Sequence, residues 1–408
     1  MKLTPQPYMA EQIADDVFWV GAIDWNLTDF HGYKTERGST YNAYLILADK
    51  VTLIDTVKKP YKQEMLTRIA SVIDPATIDY IVSNHSEMDH SGSLIEVIDQ
   101  VQPARVFASA NGVKALQKHF HHDKTIEAVE NGGTLSLGNM SLQFVETKMI
   151  HWPDSMITFL PERKVLFSQD AFGMHLASTS LFADEVPDWI LEWEVQKYYA
   201  NIVMPYSAIV GKALAALREL NLPIAMIAPD HGPIWRTPGQ IEWILGLYDK
   251  YVAQKPNARA IVIYDTMWQS TDQMARAIAG GLKAAGVEAK VMPLSGAHRS
   301  DVATEVLDAG ALIVGSCTMN NQIFPTVADV LTYLKGLKPI NLVGATFGSY
   351  GWSMNAVKDL DTWLEEMKIE TVAEPVRVNY VPTKDDLMQC RELGATVGRA
   401  LRERVNRD

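Results

Sequence analysis

Short apolar runs separated by turn-forming residues dominate the first part of the chain. Thr40–Ala48, Val51–Val57, Ile78–Ser83, Arg105–Ala108 and Leu135–Glu146 carry β-branched and aromatic residues over strand-like lengths. Helical patterns fall between them at Tyr61–Ile73, Leu94–Val101 and Gly112–Phe120. Strand-rich sequence with a few helices implies an α/β sandwich of paired strands. The helix-like stretch Pro238–Ala253 closes this half, and the polar segment Gln254-Lys255-Pro256-Asn257-Ala258 reads as a linker. The rhythm then becomes regular: strand Ala260–Tyr264, helix Asp272–Ala285, strand Glu288–Met292, strand Ala311–Gly315, helix Thr326–Leu337, strand Asn341–Phe347 and helix Asn355–Met367. Strands alternating with long helices predict βαβ units and a doubly wound parallel sheet. The expected domains are therefore 1–254 and 255–408.

Composition narrows the class without changing this picture. At 408 residues the chain exceeds one ordinary core, and 47% apolar with 21% charged residues describes a soluble globular protein. No run of eighteen apolar residues appears, so no membrane span is expected. The start, Met1-Lys2-Leu3-Thr4-Pro5-Gln6-Pro7, lacks a signal-peptide pattern. Cys317 and Cys390 offer neither a disulfide framework nor a cysteine-based metal centre, and the cytoplasm is the expected compartment. A net charge of −12 argues against nucleic acid, whose phosphates demand basic surfaces.

The densest chemistry is His85-Ser86-Glu87-Met88-Asp89-His90, directly after the apolar run Tyr80-Ile81-Val82-Ser83. Four metal-ligand side chains in one turn cannot all face one ion, which suggests two metals. His151, Asp170 and His231 also stand where strand-like runs meet loops, in Ile150-His151-Trp152-Pro153-Asp154-Ser155, at the end of Val165–Gln169, and in Pro229-Asp230-His231-Gly232-Pro233. Any one of these three alone reads more readily as a cap or core residue; the full set together with the His85–His90 turn reverses that and reads as a site. Imidazole with carboxylate suits first-row metals, and a carboxylate can bridge two ions. His119, His121 and His122 read as surface residues of a polar helix end, while His31 and His175 are left open, with His175 close enough to Asp170 to support a ligand.

A second constellation lies in the regular half. Asp265-Thr266-Met267-Trp268-Gln269-Ser270-Thr271 joins a strand to a helix, offering hydroxyls, backbone N–H groups and a helix N-terminus to a phosphate. The P-loop and the dinucleotide glycine pattern are both absent, so a monophosphate fits. The loops Gly315-Ser316-Cys317-Thr318-Met319-Asn320-Asn321 and Phe347-Gly348-Ser349-Tyr350-Gly351-Trp352-Ser353 follow strands whose carboxyl ends form the same sheet edge. Their amides and hydroxyls can read a ring edge, and Trp268, Tyr350 or Trp352 can stack on it. Cys317 reads as a small packed residue.

On these residues the first half resembles the metallo-β-lactamase fold, an αββα sandwich, with Glu87 where hydrolases of that fold keep a second His. That replacement is the hallmark of the flavodiiron, or A-type flavoprotein, family. The three loops of the second half resemble the FMN site of flavodoxin. The resemblance implies one iron on His85, Glu87 and His151, a second on Asp89, His90 and His231, and Asp170 bridging. It implies Tyr198, in Lys197-Tyr198-Tyr199-Ala200-Asn201, beside the diiron pocket. FMN contacts are expected from Thr266 through Thr271, from Ser316, Thr318, Asn320 and Asn321, and from Ser349 through Trp352. Two departures stand out: the family usually has Pro at Cys317 and Gly-Glu at Met354-Asn355.

The implied activity is reduction of O2 to water, of NO to N2O, or both, with FMN passing electrons to the irons. The implied assembly is a head-to-tail homodimer or a dimer of dimers. No Cys-x-x-Cys pairs appear, so no attached rubredoxin module is expected. The implied donor is a separate rubredoxin, or reduced deazaflavin as the alternative. Rival readings are a zinc-dependent hydrolase carrying a flavodoxin-like regulator and an electron carrier with a vestigial metal site. Glu87 opposes the first and the seven filled ligand positions oppose the second. A nuclease is opposed by the acidic charge.

Overall fold

The computed structural model describes residues 4–407, and two compact units emerge. One unit comprises the chain up to His31, Thr35–Tyr198 and Ala208–Asp249; the other comprises Gly32–Lys34, Tyr199–Ser207 and the chain from Lys250 onward.

In the first unit a seven-stranded sheet has the order Glu11–Ala14, Val17–Trp19, Tyr44–Ile46, Thr52–Ile54, Tyr80–Ser83, Arg105–Ser109, Glu127–Val129. Pairing is antiparallel as far as Thr52–Ile54 and parallel beyond it. A second sheet runs Thr134–Ser136, Ser141–Glu146, Met156–Leu160, Val165–Gln169, Met226–Pro229, with only its last pair parallel.

Side-chain alternation along the first sheet makes two cores. Leu45, Leu53, Ile81, Val106 and Ala108 face helix residues such as Met65, Ile69, Val97 and Leu116. Tyr44, Ile46, Ile54, Val82 and Phe107 face Leu142, Phe144, Leu160, Val165 and Phe167 of the second sheet. Both faces of these strands are therefore apolar, which is why they read as unbroken runs. Val145 and Ile157 of the second sheet share a cavity wall with Val210 and Leu214 of helix Ser207–Glu219 and with Tyr248 of helix Pro238–Ala253. The unit is an αββα sandwich.

The second unit is a parallel sheet in the order Glu288–Pro293, Arg259–Tyr264, Ala311–Met319, Val343–Tyr350, with Glu370–Thr371 and Val376–Asn379 on its far edge. This is the flavodoxin-like order. Two loops expected from sequence are partly strand. Thr318–Met319 continues the third strand because Gln322–Ile323 pairs back on it antiparallel. The connection is a two-residue turn in which Asn320 and Asn321 have φ of 52° and 61°, the left-handed conformation that asparagine tolerates.

Among the described residues, one helical stretch, Asp188–Glu219, is long and apolar enough to cross a membrane by length and composition. It was not anticipated by the run-length reading. It carries the buried Glu194 and Lys197 and a π-helical turn at Tyr199–Val203.

Candidate functional site: a metal centre and a cofactor pocket

The ligand-rich turn is held from several sides. Asp55 accepts from Asn84 N at 2.7 Å and from Asn84 Nδ2 at 2.8 Å, and Asn84 Oδ1 accepts from Thr158 Oγ1 at 2.6 Å. Strand Tyr80–Ser83 therefore ends in a locked residue immediately before His85. The short helix Met88–Ser91 is tied by Thr56 Oγ1 donating to the His90 carbonyl at 2.5 Å and by Ser91 Oγ donating to Ser86 O at 2.7 Å. His151 stands on the loop joining Ser141–Glu146 to Met156–Leu160, and Asp170 and His231 follow the last two strands of the second sheet. Asn42 Nδ2 donates to Pro229 O at 2.7 Å and Gly232 O at 2.9 Å, bracketing His231. Gly232 turns with φ of 74°, where a Cβ would meet Met174.

All seven predicted ligand positions converge in two groups: His85, Glu87, His151 and Asp170, and Asp89, His90 and His231, the donor atoms of each group lying within 4.8 Å of one another. Asp170 stands between them. Its Oδ2 is 3.1 Å from His151 Nε2 and 3.3 Å from His85 Nε2; its Oδ1 is 3.2 Å from His90 Nε2 and 3.5 Å from His231 Nε2. Glu87 Oε2 completes the first group at 3.3 Å from His85 and 3.2 Å from His151. Asp89 Oδ2 is 3.1 Å from His231 Nε2.

Two of the four imidazoles, His85 and His231, meet an acceptor through Nδ1, which turns Nε2 inward. His85 Nδ1 lies 3.2 Å from Asp154 Oδ2, which also accepts from Ser86 N at 2.6 Å. His231 Nδ1 donates to the Thr40 carbonyl at 2.6 Å, and His90 Nδ1 faces Asp230 Oδ2 at 3.6 Å.

Burial opposes charge on His85, yet Asp154, Glu87 and Asp170 push its pKa well above the usual imidazole value. Burial likewise opposes charge on His90, which Asp89, Asp170 and Asp230 raise to about 10. Burial works against ionised Asp170, but His90, His151 and His85 hold it well below the ordinary carboxylate range. The imidazole protons retained here are those a divalent cation displaces on binding. Both carboxylate oxygens of Asp89, Asp170 Oδ1 and both ring nitrogens of His90 are buried without a hydrogen-bond partner among the described residues. Polar atoms left this way at the centre of an N/O donor set fit a pair of first-row cations.

A cavity of about 750 Å³ opens on this cluster, lined by Glu87, Met88, Asp89, Phe30, His31, Lys58, Lys59, Glu96, His119 and Trp152 among others. His31, left open from sequence, places Nε2 3.1 Å from Glu87 Oε1. His175 is buried behind the cluster, its Nδ1 2.8 Å from Ser39 Oγ, which also lies 3.3 Å from His231 Nδ1. The buried Tyr198 ring is 5.2 Å from that of His175 and 6.2 Å from that of His231. Tyr199 instead packs on Tyr251 at 5.1 Å.

His119 departs from its surface reading. It is half-buried and stacks on Trp152 at 5.9 Å, and Trp152 stands edge-on to His85 at 5.2 Å. The end of its helix packs over the loop that carries His151, which no local pattern announces.

In the other unit a cavity of about 700 Å³ lies at the carboxyl edge of the parallel sheet. Thr266, Met267, Trp268, Ser270, Thr318, Asn320, Asn321, Ser349, Tyr350, Gly351 and Trp352 line it, as do Cys317, Ser353, Tyr380 and Val381. Gln269, Thr271 and Ser316 are not in the lining. Thr271 is buried and joins two of the loops through Ser349 Oγ at 3.0 Å, while Ser316 Oγ accepts from Phe324 N at 2.9 Å. Gln269 takes the left-handed turn (φ 64°) into helix Ser270–Ala284. Tyr380 and Val381 were missed because they follow the edge strand, far in sequence from the three loops. The hydroxyls of Thr266 and Thr318 are buried and have no partner among the described residues, which suits a phosphate and a polar ring edge.

Both halves of the chain match known families. Residues 40–232 match the family described as ODP family beta lactamase, and residues 262–394 match flavodoxin. The chain is 45% identical to the rubredoxin-oxygen oxidoreductase of Megalodesulfovibrio gigas, covering 97% of this chain and 99% of that one. It is 44% identical to a nitric oxide reductase of Moorella thermoacetica, covering 94% and 97%. The solved flavodiiron protein of Giardia intestinalis superposes with a TM-score of 0.95 at 31% identity, covering 99% of each chain. This chain belongs to the flavodiiron protein family.

Proposed function

We propose that the protein is an oxidoreductase that reduces O2 to water, NO to N2O, or both, drawing electrons through FMN from an external donor. The observation that carries the reading is Asp170 offering one carboxylate oxygen to each half of a seven-residue donor set in which Glu87 replaces an imidazole. In this reading residues 1–254 hold the metals and 255–408 the flavin. His85, Glu87 and His151 hold one iron, Asp89, His90 and His231 the other, and Asp170 bridges. Thr266, Ser270 and the loops around Thr318 and Tyr350 hold FMN, with the buried Thr271 and Ser316 and the turn residue Gln269 shaping those loops.

Bound iron and FMN supply one-electron chemistry that no side chain of this protein offers. The chain's residues prepare for it. Asp154 and Thr40 O fix the imidazoles of His85 and His231 before metal arrives, so little reorganisation remains at those two. Tyr198, buried 2% exposed beside His175 and His231, keeps its phenolic proton because burial and Asp170 push its pKa well above the usual value. It is therefore a neutral donor toward charge developing in the pocket. The hydrogen bond to Glu87 raises the pKa of His31, against the opposing effect of burial. His31 lines the mouth of the cavity, within reach of a bound gas.

Rubredoxin is the proposed donor, in line with the name of the M. gigas relative, with reduced deazaflavin the alternative. A head-to-tail dimer or dimer of dimers in the cytoplasm completes the proposal. The test is anaerobic: protein, chemically reduced rubredoxin, and electrodes following O2 and NO on one preparation. Rapid loss of either gas is expected, and the ratio of rates names the substrate. A preparation with FMN and metal that consumes neither gas, or that carries zinc and hydrolyses, returns the hydrolase reading.

A further inference from the structure

We propose that a second, small apolar cavity against the metal-bearing loops is a binding site for the diatomic gas itself. The inference rests on the gas-reductase reading above. The cavity measures about 80 Å³; its inner wall is Ile150, Ala171, Phe172, Val210, Leu214 and Tyr248, each at most 7% exposed, and its outer rim includes the half-buried Ala213 and Leu217 and the exposed Ala216. One ordered water needs roughly 10–15 Å³ of such space and two to four polar partners. The space is several times larger than that, and the polar partners are few. The Tyr248 hydroxyl accepts from Phe172 N at 2.7 Å, and the Glu146 carboxylate at the edge is engaged by Lys148 at 2.6 Å. Among the described residues, Thr147 Oγ1 is the one buried hydroxyl at the wall without a partner. A neutral diatomic loses no hydrogen bonds on leaving water, so this space favours O2 or NO over water.

The position gives the cavity its purpose. Ile150 directly precedes His151, and Ala171 directly follows Asp170, so the wall and the donors are joined by single peptide units of about 3.8 Å. The two loops are pinned together by Gln169 Nε2 donating to Ile150 O at 2.6 Å and by His151 Nε2 against Asp170 Oδ2 at 3.1 Å. The wide cavity over the same cluster is different in kind. It holds about 750 Å³, is lined by Lys58, Lys59, Glu96 and His31, and shares no lining residue with the small one. A charged opening of that size does not retain a diatomic, whereas the small cavity matches one in volume and polarity.

Xenon, an apolar probe of similar size, tests this on the holoprotein. Crystals under xenon pressure are expected to show the atom in this cavity. Xenon is also expected to raise KM for O2 several-fold in the parent at unchanged kcat. Ala213→Phe, which fills the cavity from helix Ser207–Glu219, is expected to abolish xenon binding and to raise KM in the same way at parental iron and FMN content. Ala215→Phe, on the exposed side of that helix, is expected to change neither. A cavity that stays empty of xenon, or xenon that binds without moving KM, overturns the proposal. A preparation with iron and FMN that consumes neither gas overturns the reductase reading instead, whatever xenon does.

Discussion

Asp170 is the residue on which both halves of the cluster depend, since each carboxylate oxygen faces two imidazoles. Asp170→Ala is expected to lose both metals and all gas reduction while FMN stays; metal analysis and flavin absorbance on one sample check it. A second residue-scale expectation concerns Glu194. Burial lifts its pKa from the ordinary 4.5 to about 7, against the pull of Lys197 and Arg37, whose Nε lies 3.1 Å away. Because the folded state keeps a proton that the unfolded state has released, stability falls as pH rises from about 4.5 to about 7. Glu194→Gln is expected to remove that slope, read from urea midpoints at pH 5 and pH 7.5. The ligands themselves were legible because four of them share one turn. Their supports were not: Asp154 reaches His85 across 69 positions and Thr40 O reaches His231 across 191. Only folding brings such partners together, and ordinary Asp and Thr residues carry no mark of it.

Elements with strong periodicity were read closely from sequence. Leu94–Val101 and Pro238–Ala253 keep their expected bounds, and four strands of the parallel sheet sit where the apolar runs predict them, while the edge strands Glu370–Thr371 and Val376–Asn379 do not figure in that reading. Three-residue strands such as Val17–Trp19 and Ala22–Asp24 are too short to show a period, and they passed unread. Helix Lys384–Val405 was also missed, although a capping box at Thr383 and Asp386 starts it. It packs on Ser270–Ala284 through glycines: a Cβ at Gly394 would meet Ile278 O, and one at Gly281 would meet Arg391 O. Gly394→Val is therefore expected to destabilise the flavodoxin-like unit by about 1–3 kcal/mol. Gly246→Ala, mid-helix with open space around the new methyl, is expected to stabilise by about 0.5–1 kcal/mol. Chemical denaturation followed by flavin fluorescence and by far-UV dichroism separates the two.

For the molecule as a whole, the proposed sites occupy different compact units, so they should be separable. Thr266→Glu places a carboxylate where the phosphate is proposed to lie, and is expected to eject FMN while iron content stays at the parental value. FMN bound at normal affinity in that variant would refute the phosphate-loop assignment. The sequence by itself determined the class of each unit, because apolar period and turn residues encode strands, helices and their alternation locally. It also determined the donor types, because ligand chemistry resides in residue identity. Tertiary structure alone decided that Asp170 stands between two groups of donors. It decided that the imidazoles of His85 and His231 are turned by acceptors from elsewhere in the fold, that His119 leans on Trp152, and that a small, largely apolar cavity lies against the His151 and Asp170 loops. Those are distances between residues far apart in the chain, and packing fixes distances that composition and period leave open.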